Sequence, residues 1–96
     1  MKPKAIIMSK GDNVATALEN LPANRSVQVR NGSELTTHFV QEDIPFGHKF
    51  AVLRIEAGAK VLKYGQVIGA ATQNIEAGAH VHVHNVESLR GRGDKQ

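Results

Sequence analysis

The chain has 96 residues, a net charge of +3 and only four aromatic residues, three Phe and one Tyr. A domain of this length buries about 60–65% of its unfolded surface, which leaves little room for a deep cleft. There is no cysteine, which excludes disulfides, zinc–thiolate centres and thiol nucleophiles. No apolar run approaches the roughly 18 residues of a membrane span, and the first residues lack the cleavage pattern of a secretory signal. The expectation is a cytoplasmic protein with an aliphatic core.

Lys4–Met8 is apolar and β-branched and reads as a first strand. Ser9–Asp12 reads as a turn, and Asp12 as the N-cap of a helix over Asn13–Asn20, where Val14, Ala17 and Leu18 have helical spacing. Pro22 and Asn24 would end it. From Ser26 the pattern is strand and turn. Val27 and Val29 alternate, Asn31-Gly32 predicts a hairpin turn, and Leu35–Val40 would pair back. Short β runs follow, punctuated by Gly47, Gly58, Gly65, Gly69 and Gly78. The expected class is mainly β, with short strands and one short helix near the N-terminus.

One motif repeats. Ile55-Glu-Ala-Gly-Ala59, followed by Lys60-Val61, recurs as Ile75-Glu-Ala-Gly-Ala79, followed by His80-Val81. Looser versions begin at Ile44 and Leu21. Each has an apolar residue, a Gly or Asn three places on, and an apolar residue six places on. The physical reading is an apolar anchor, a tight turn with a positive-φ residue, and the strand that the turn sets in register. This is one β-domain reusing a turn–strand device, not a solenoid.

The chemistry concentrates in histidines. His80, His82 and His84 alternate with Val81 and Val83, so a straight strand would place the three imidazoles on one face. Successive Cα atoms would then stand about 6.5–7 Å apart and the outer pair about 13 Å, so one ion could not take all three without a bend. The expected working pair is His82 with His84 or with His80. The competing reading is a solvated polar face. His48 and Lys49 leave the turn Ile44-Pro-Phe-Gly47 and suit acid–base work and carboxylate binding, or are an ordinary turn residue and a solvated lysine. Lys63 can hold an anion. Tyr64 can donate a hydrogen bond, although as the one tyrosine it reads better as a core aromatic with its hydroxyl at the rim. No phosphate loop, nucleophile elbow, His-Glu-x-x-His or close carboxylate pair is present. Residues 90–96 read as a flexible basic tail. It is too short, and too poor in stacking aromatics, to make nucleic acid an expected partner; a membrane is not expected either. A mild positive excess suits a small anionic substrate.

Three stretches, Glu42–Ala51, Ile55–Gly69 with its Lys63-Tyr64-Gly65, and Val81-His-Val-His-Asn85, follow Gly11-Asp-Asn-Val-Ala15 in an order that resembles a known family. It is the small N-terminal domain of the altronate/galactarate dehydratases, which in the two-subunit sulfolactate sulfo-lyases is a separate chain. The resemblance implies a SAF-type β-clip domain over residues 1–89. It also implies a lyase that eliminates water from a sugar acid such as altronate or galactarate, or sulfite from sulfolactate. It implies a divalent metal, commonly iron, supplied mainly by a large dehydratase-type subunit that completes the active site. An end at position 96 matches the small-subunit arrangement, in which the chain alone is inactive. By matching position the resemblance carries over His48, His82 and His84 as catalytic residues. It gives His82 and His84 as metal contacts, and Lys49, Lys63, Tyr64 and Asn85 as substrate contacts. His80 has no matching histidine and is left as a bystander. The alternatives are a non-catalytic β-clip module that recognises a sugar acid or a protein, and a free-standing metal-binding protein. Self-association into a homo-oligomer stays open.

Overall fold

Four segments of the chain adopt one shape, and they pair. The structure is a computed structural model that describes residues 2–88; the expected tail at 90–96 lies outside them. In each segment an apolar anchor is followed by a turn whose fourth residue has positive φ: Asn24 (65°), Gly47 (84°), Gly58 (86°) and Gly78 (89°). Three of the turns are closed by a hydrogen bond from the fifth residue to the second carbonyl: His48 N to Pro45 O at 2.9 Å, Ala59 N to Glu56 O at 2.8 Å and Ala79 N to Glu76 O at 3.0 Å. The anchors Leu21, Ile44, Ile55 and Ile75 are buried, and so are the residues six places on, Val27, Phe50, Val61 and Val81.

The pairing is reciprocal. Leu21 and Ile44 exchange both backbone hydrogen bonds at 2.8 Å, and Ile55 and Ile75 exchange theirs at 2.8 and 2.7 Å. The fourth residue of each turn donates its N–H to the strand end that leads into the partner turn: Asn24 to Val40, Gly47 to Ala17, Gly58 to Ala71 and Gly78 to Ala51. The residue before the anchor adds a side-chain lock. Asn20 Oδ1 accepts Phe46 N, Asp43 Oδ1 accepts Ala23 N, and Asn74 Oδ1 accepts Ala57 N. At the fourth such place stands Arg54, which reaches Glu76 at 3.8 Å instead.

Among the described residues nine strands hang on this frame: β1 Ala5–Ile7, β2 Val14–Ala17, β3 Arg25–Asn31, β4 Glu34–Val40, β5 Lys49–Ala51, β6 Lys60–Lys63, β7 Gln66–Ala71, β8 His80–Val81 and β9 Val86–Glu87. They form a sheet in the order β4-β3-β1-β2-β5-β8 and a smaller one, β6-β7-β9. Only β1 and β3 run parallel. Two aliphatic cores lie on either side of β2 and β5. Ala15, Ala17 and Phe50 join the first, with Leu21 and Ile44; Val14 and Ala51 join the second, with Ile55 and Ile75.

The mainly β expectation holds, but the helix over Asn13–Asn20 does not form. Val14–Ala17 is β2, paired with β1 on one edge and β5 on the other and buried at every position. A two-turn helix would have left one face in water; a strand between two cores buries both, and the β-branched Val14 and Thr16 favour it. Asp12 is therefore no helix cap. Its buried carboxylate accepts Ser9 N, Tyr64 N and Gly65 N, each at 2.9 Å. Asn13 accepts Leu62 N and donates to Lys60 O. These two side chains clamp the β6–β7 hairpin to the end of β2. The β3–β4 turn is also shifted by one residue: Asn31 pairs with Glu34, and Gly32-Ser33 is the loop, with Gly32 at φ 68°. Glycine at the first loop position suits a type II′ turn.

Two predictions follow from this frame. Gly58 and Gly78 hold the same place in the repeat, yet a Cβ at Gly58 meets open space whereas one at Gly78 lands on the backbone carbonyl of Phe39. Gly58→Ala should cost about 1–2 kcal/mol, the cost of left-handed backbone alone, and Gly78→Ala at least about twice that; urea denaturation of the two variants checks it. Asp12→Ala orphans three backbone donors and should cost about 3 kcal/mol or more, with faster amide exchange at Tyr64 and Gly65 as its signature.

Candidate functional site

The site grows from the exits of two turns that the sheet brings side by side. The Ile44 turn delivers His48 into β5 and the Ile75 turn delivers His80 into β8. These strands are antiparallel, with Phe50 opposite His80 and Lys49 opposite Val81. One step further in this register, past both strand ends, His48 meets His82. Opposite and diagonal residues of an antiparallel pair share a face, so His48, His80 and His82 gather on one side.

The rings pack accordingly. Centroids lie 4.2 Å apart for His48 and His82, 5.1 Å for His48 and His80, and 5.4 Å for His80 and His82, with planes within 21° of parallel. His48 Nδ1 and His80 Nε2 share a hydrogen bond of 2.9 Å, one ring donating and the other accepting. His84 tilts against His80 at 5.3 Å.

The straight strand expected through His80–His84 is not formed. β8 ends at Val81, and residues 82–85 turn back. Asn85 makes the turn: its Oδ1 accepts His82 N at 2.9 Å, its Nδ2 donates to His80 O at 2.8 Å, and its own N–H donates to His82 O at 3.1 Å. The carboxamide is buried and occupied in this way. The turn abolishes the 13 Å separation expected of a straight strand, and His80 touches each of the other three rings. Sequence reasoning missed it because β5 and β8 are about thirty residues apart, and no local pattern announces their pairing. Their shared turn device was the available signal, since it hands both histidines to the edge of one sheet.

Lys49 lies beside this cluster, half-buried. It lines a cavity of about 250 Å³ with Ile68, Val81, His82, Val83, Val86 and Ser88. Burial, then the charge of Lys63, lowers its pKa below the ordinary lysine value. Thr16 is its register partner across β2–β5, and among the described residues the buried Thr16 hydroxyl has no hydrogen-bond partner. Lys63 Nζ lies 5.3 Å from the ring centroid of Tyr64. Tyr64 is not the core aromatic expected of it. It occupies the two-residue β6–β7 loop with Gly65, at φ 59°, and is 61% exposed.

Burial lowers the pKa of His80, and the neighbouring His48, His84 and His82 lower it further against a smaller opposing pull from Glu42. His82 is lowered by burial, then by His48, Lys49 and His84. Both rings thus favour the neutral form, which accepts protons and ligates metals. One nitrogen from each of His48, His80 and His82 lies within 4.8 Å of the others. This donor set fits the divalent metal that the resemblance implies. Among the described residues it is the one such group, and it takes His82 without His84.

Residues 3–89 match the Altronate/galactarate dehydratase SAF domain family. The chain is 46% identical over 77 residues to the altronate dehydratase of Escherichia coli, covering 80% of this chain and 15% of that protein. It is 36% identical over 83 residues to that of Bacillus subtilis, covering 86% of the chain and 16% of the protein. It is 46% identical over 48 residues to the (2R)-sulfolactate sulfo-lyase subunit alpha of Paracoccus pantotrophus, covering 50% of this chain and 72% of that subunit. The chain thus spans only about a sixth of the dehydratases and most of the sulfo-lyase subunit. With the match running from the first strand through the histidine turn, the chain belongs to the altronate/galactarate dehydratase SAF domain family.

Proposed function

We propose that this domain works against a large lyase part, as the small subunit that completes a site for eliminating water from a sugar acid such as altronate or galactarate. The observation that carries the reading is the half-exposed group of imidazoles beside a half-buried lysine, in a chain of this family. Elimination breaks a C–H bond next to the substrate carboxylate and the C–O bond of the neighbouring hydroxyl, which leaves with a proton as water. It needs a base, a proton donor and cations on the carboxylate. Lys49 and Lys63 repel one another, and a carboxylate near both would relieve that repulsion. Tyr64, exposed beside Lys63, would add a hydrogen bond. His48 and His82 would help to hold the divalent metal, His84 would move a proton, and Asn85 would act by fixing the turn that carries His82 and His84. A divalent metal, commonly iron and held mainly by the large part, would supply Lewis-acid polarisation of the substrate oxygens.

The share of the sulfo-lyase alpha subunit that the chain covers, 72%, favours one second reading: the same site chemistry with sulfite leaving instead of water.

The test is to produce the chain together with a large dehydratase-type subunit and to assay altronate, galactarate and sulfolactate. One of the three should be turned over, and His84→Ala should lower kcat by about 10²–10⁴, the usual worth of a positioned acid or base. If the assembled protein eliminates neither water nor sulfite from any of them, the lyase reading falls.

A further inference from the structure

We propose that His48, His80 and His82 form a binding site for one late first-row divalent ion within this chain, and that His84, although adjacent, is not a ligand. The first support is distance. The three nitrogens lie within 4.8 Å of one another, and three imidazole nitrogens about 2.0–2.1 Å from one ion stand about 3.3–3.6 Å apart. Rotation of the rings about their side-chain bonds closes that difference.

The second support is that the arrangement exists without the ion. His48 immediately precedes β5 and His80 opens β8 opposite Phe50, and each follows a turn locked by a partner turn. His82 is fixed through its backbone by Asn85. A ligand set held by the backbone in this way loses little freedom on binding.

The third support is chemistry. Three imidazoles in ring contact cannot all carry charge without repulsion, and the one hydrogen bond among them leaves ring nitrogens to spare. An all-imidazole set suits zinc, copper, nickel, cobalt or ferrous iron, and not magnesium or calcium, which prefer oxygen. His84 meets the cluster only by tilting against His80. Ligation by three groups on a half-exposed face leaves coordination positions open to a substrate oxygen or to a group from a partner.

The site deepens the lyase reading by leaving His84 free to move a proton, but it does not rest on it. The chain can bind an ion where no lyase substrate is found, and a lyase can be active where this chain binds none.

The experiment uses the full chain without an affinity tag, stripped with EDTA and titrated with cobalt, zinc and magnesium by calorimetry, with the cobalt absorption bands as a second readout. Cobalt and zinc should bind at one equivalent, and magnesium should not. His48→Ala, His80→Ala and His82→Ala should each weaken binding at least about tenfold, the loss that even an outer-shell partner's removal causes, whereas His84→Ala should stay within about threefold. Amide spectra confirm that each variant is folded. Where one is not, paramagnetic shifts of the ring protons of the unsubstituted chain on adding cobalt replace it, and should be largest at His48, His80 and His82. No saturable binding, several weak equivalents, or a loss confined to His82→Ala and His84→Ala would overturn the proposal.

Discussion

The exchange of backbone hydrogen bonds between paired turns is the constraint on which everything else depends. Leu21 binds Ile44 and Ile55 binds Ile75, and each anchor is also the apolar plug of one of the two cores. A turn cannot shift without withdrawing its plug and breaking its partner's bonds. A chain this short, with few aromatic residues and no disulfide, thereby obtains order from four small cooperative units. β5 is three residues long because it runs only from the exit of the Ile44 turn to the approach of the Ile55 turn.

The histidine surface is a by-product of that frame used twice. The second and fourth turns send β5 and β8 alongside one another, so residues that leave those turns must meet. The same turns elsewhere carry Arg25 and Ser26, or Ala59 and Lys60; at this edge they carry His48 with Lys49, and His80. The Asp12 and Asn13 clamp plays the corresponding part for Lys63 and Tyr64, tying their hairpin to β2. Lys49 of β5 is in this way held beside His82, and Lys63 of the hairpin near enough to Lys49 to act on it by its charge. The electrostatic strain on Lys49, from burial and from Lys63, suits a surface whose anion comes from outside.

Legibility in the sequence followed the range of the interaction. The turn device was readable because it is local: an aliphatic anchor, a residue suited to positive φ and a second aliphatic residue sit within seven positions. The histidine stretch was readable as chemistry for the same reason. What could not be read was pairing. Val14–Ala17 has the spacing of a short amphipathic helix when taken alone, and only its two neighbouring strands make it buried on both faces. His80 looked peripheral because its partner His48 is contributed by another turn, and the alternation of His80, His82 and His84 pointed to a strand that Asn85 turns back after Val81. Tyr64 looked like core because it is the one tyrosine, but the positive φ of a two-residue loop puts it outside.

The central claim is that the turn frame brings His48, His80 and His82 into contact in the chain by itself. Imidazole NMR of the metal-free protein tests it most directly, through ring-to-ring Overhauser effects and the nitrogen shifts that report tautomers. The account predicts cross-peaks from the His48 ring to both His80 and His82, with complementary tautomers for the hydrogen-bonded His48 and His80. Rings without mutual cross-peaks, each in the tautomer mixture of a free solvated histidine, would contradict it.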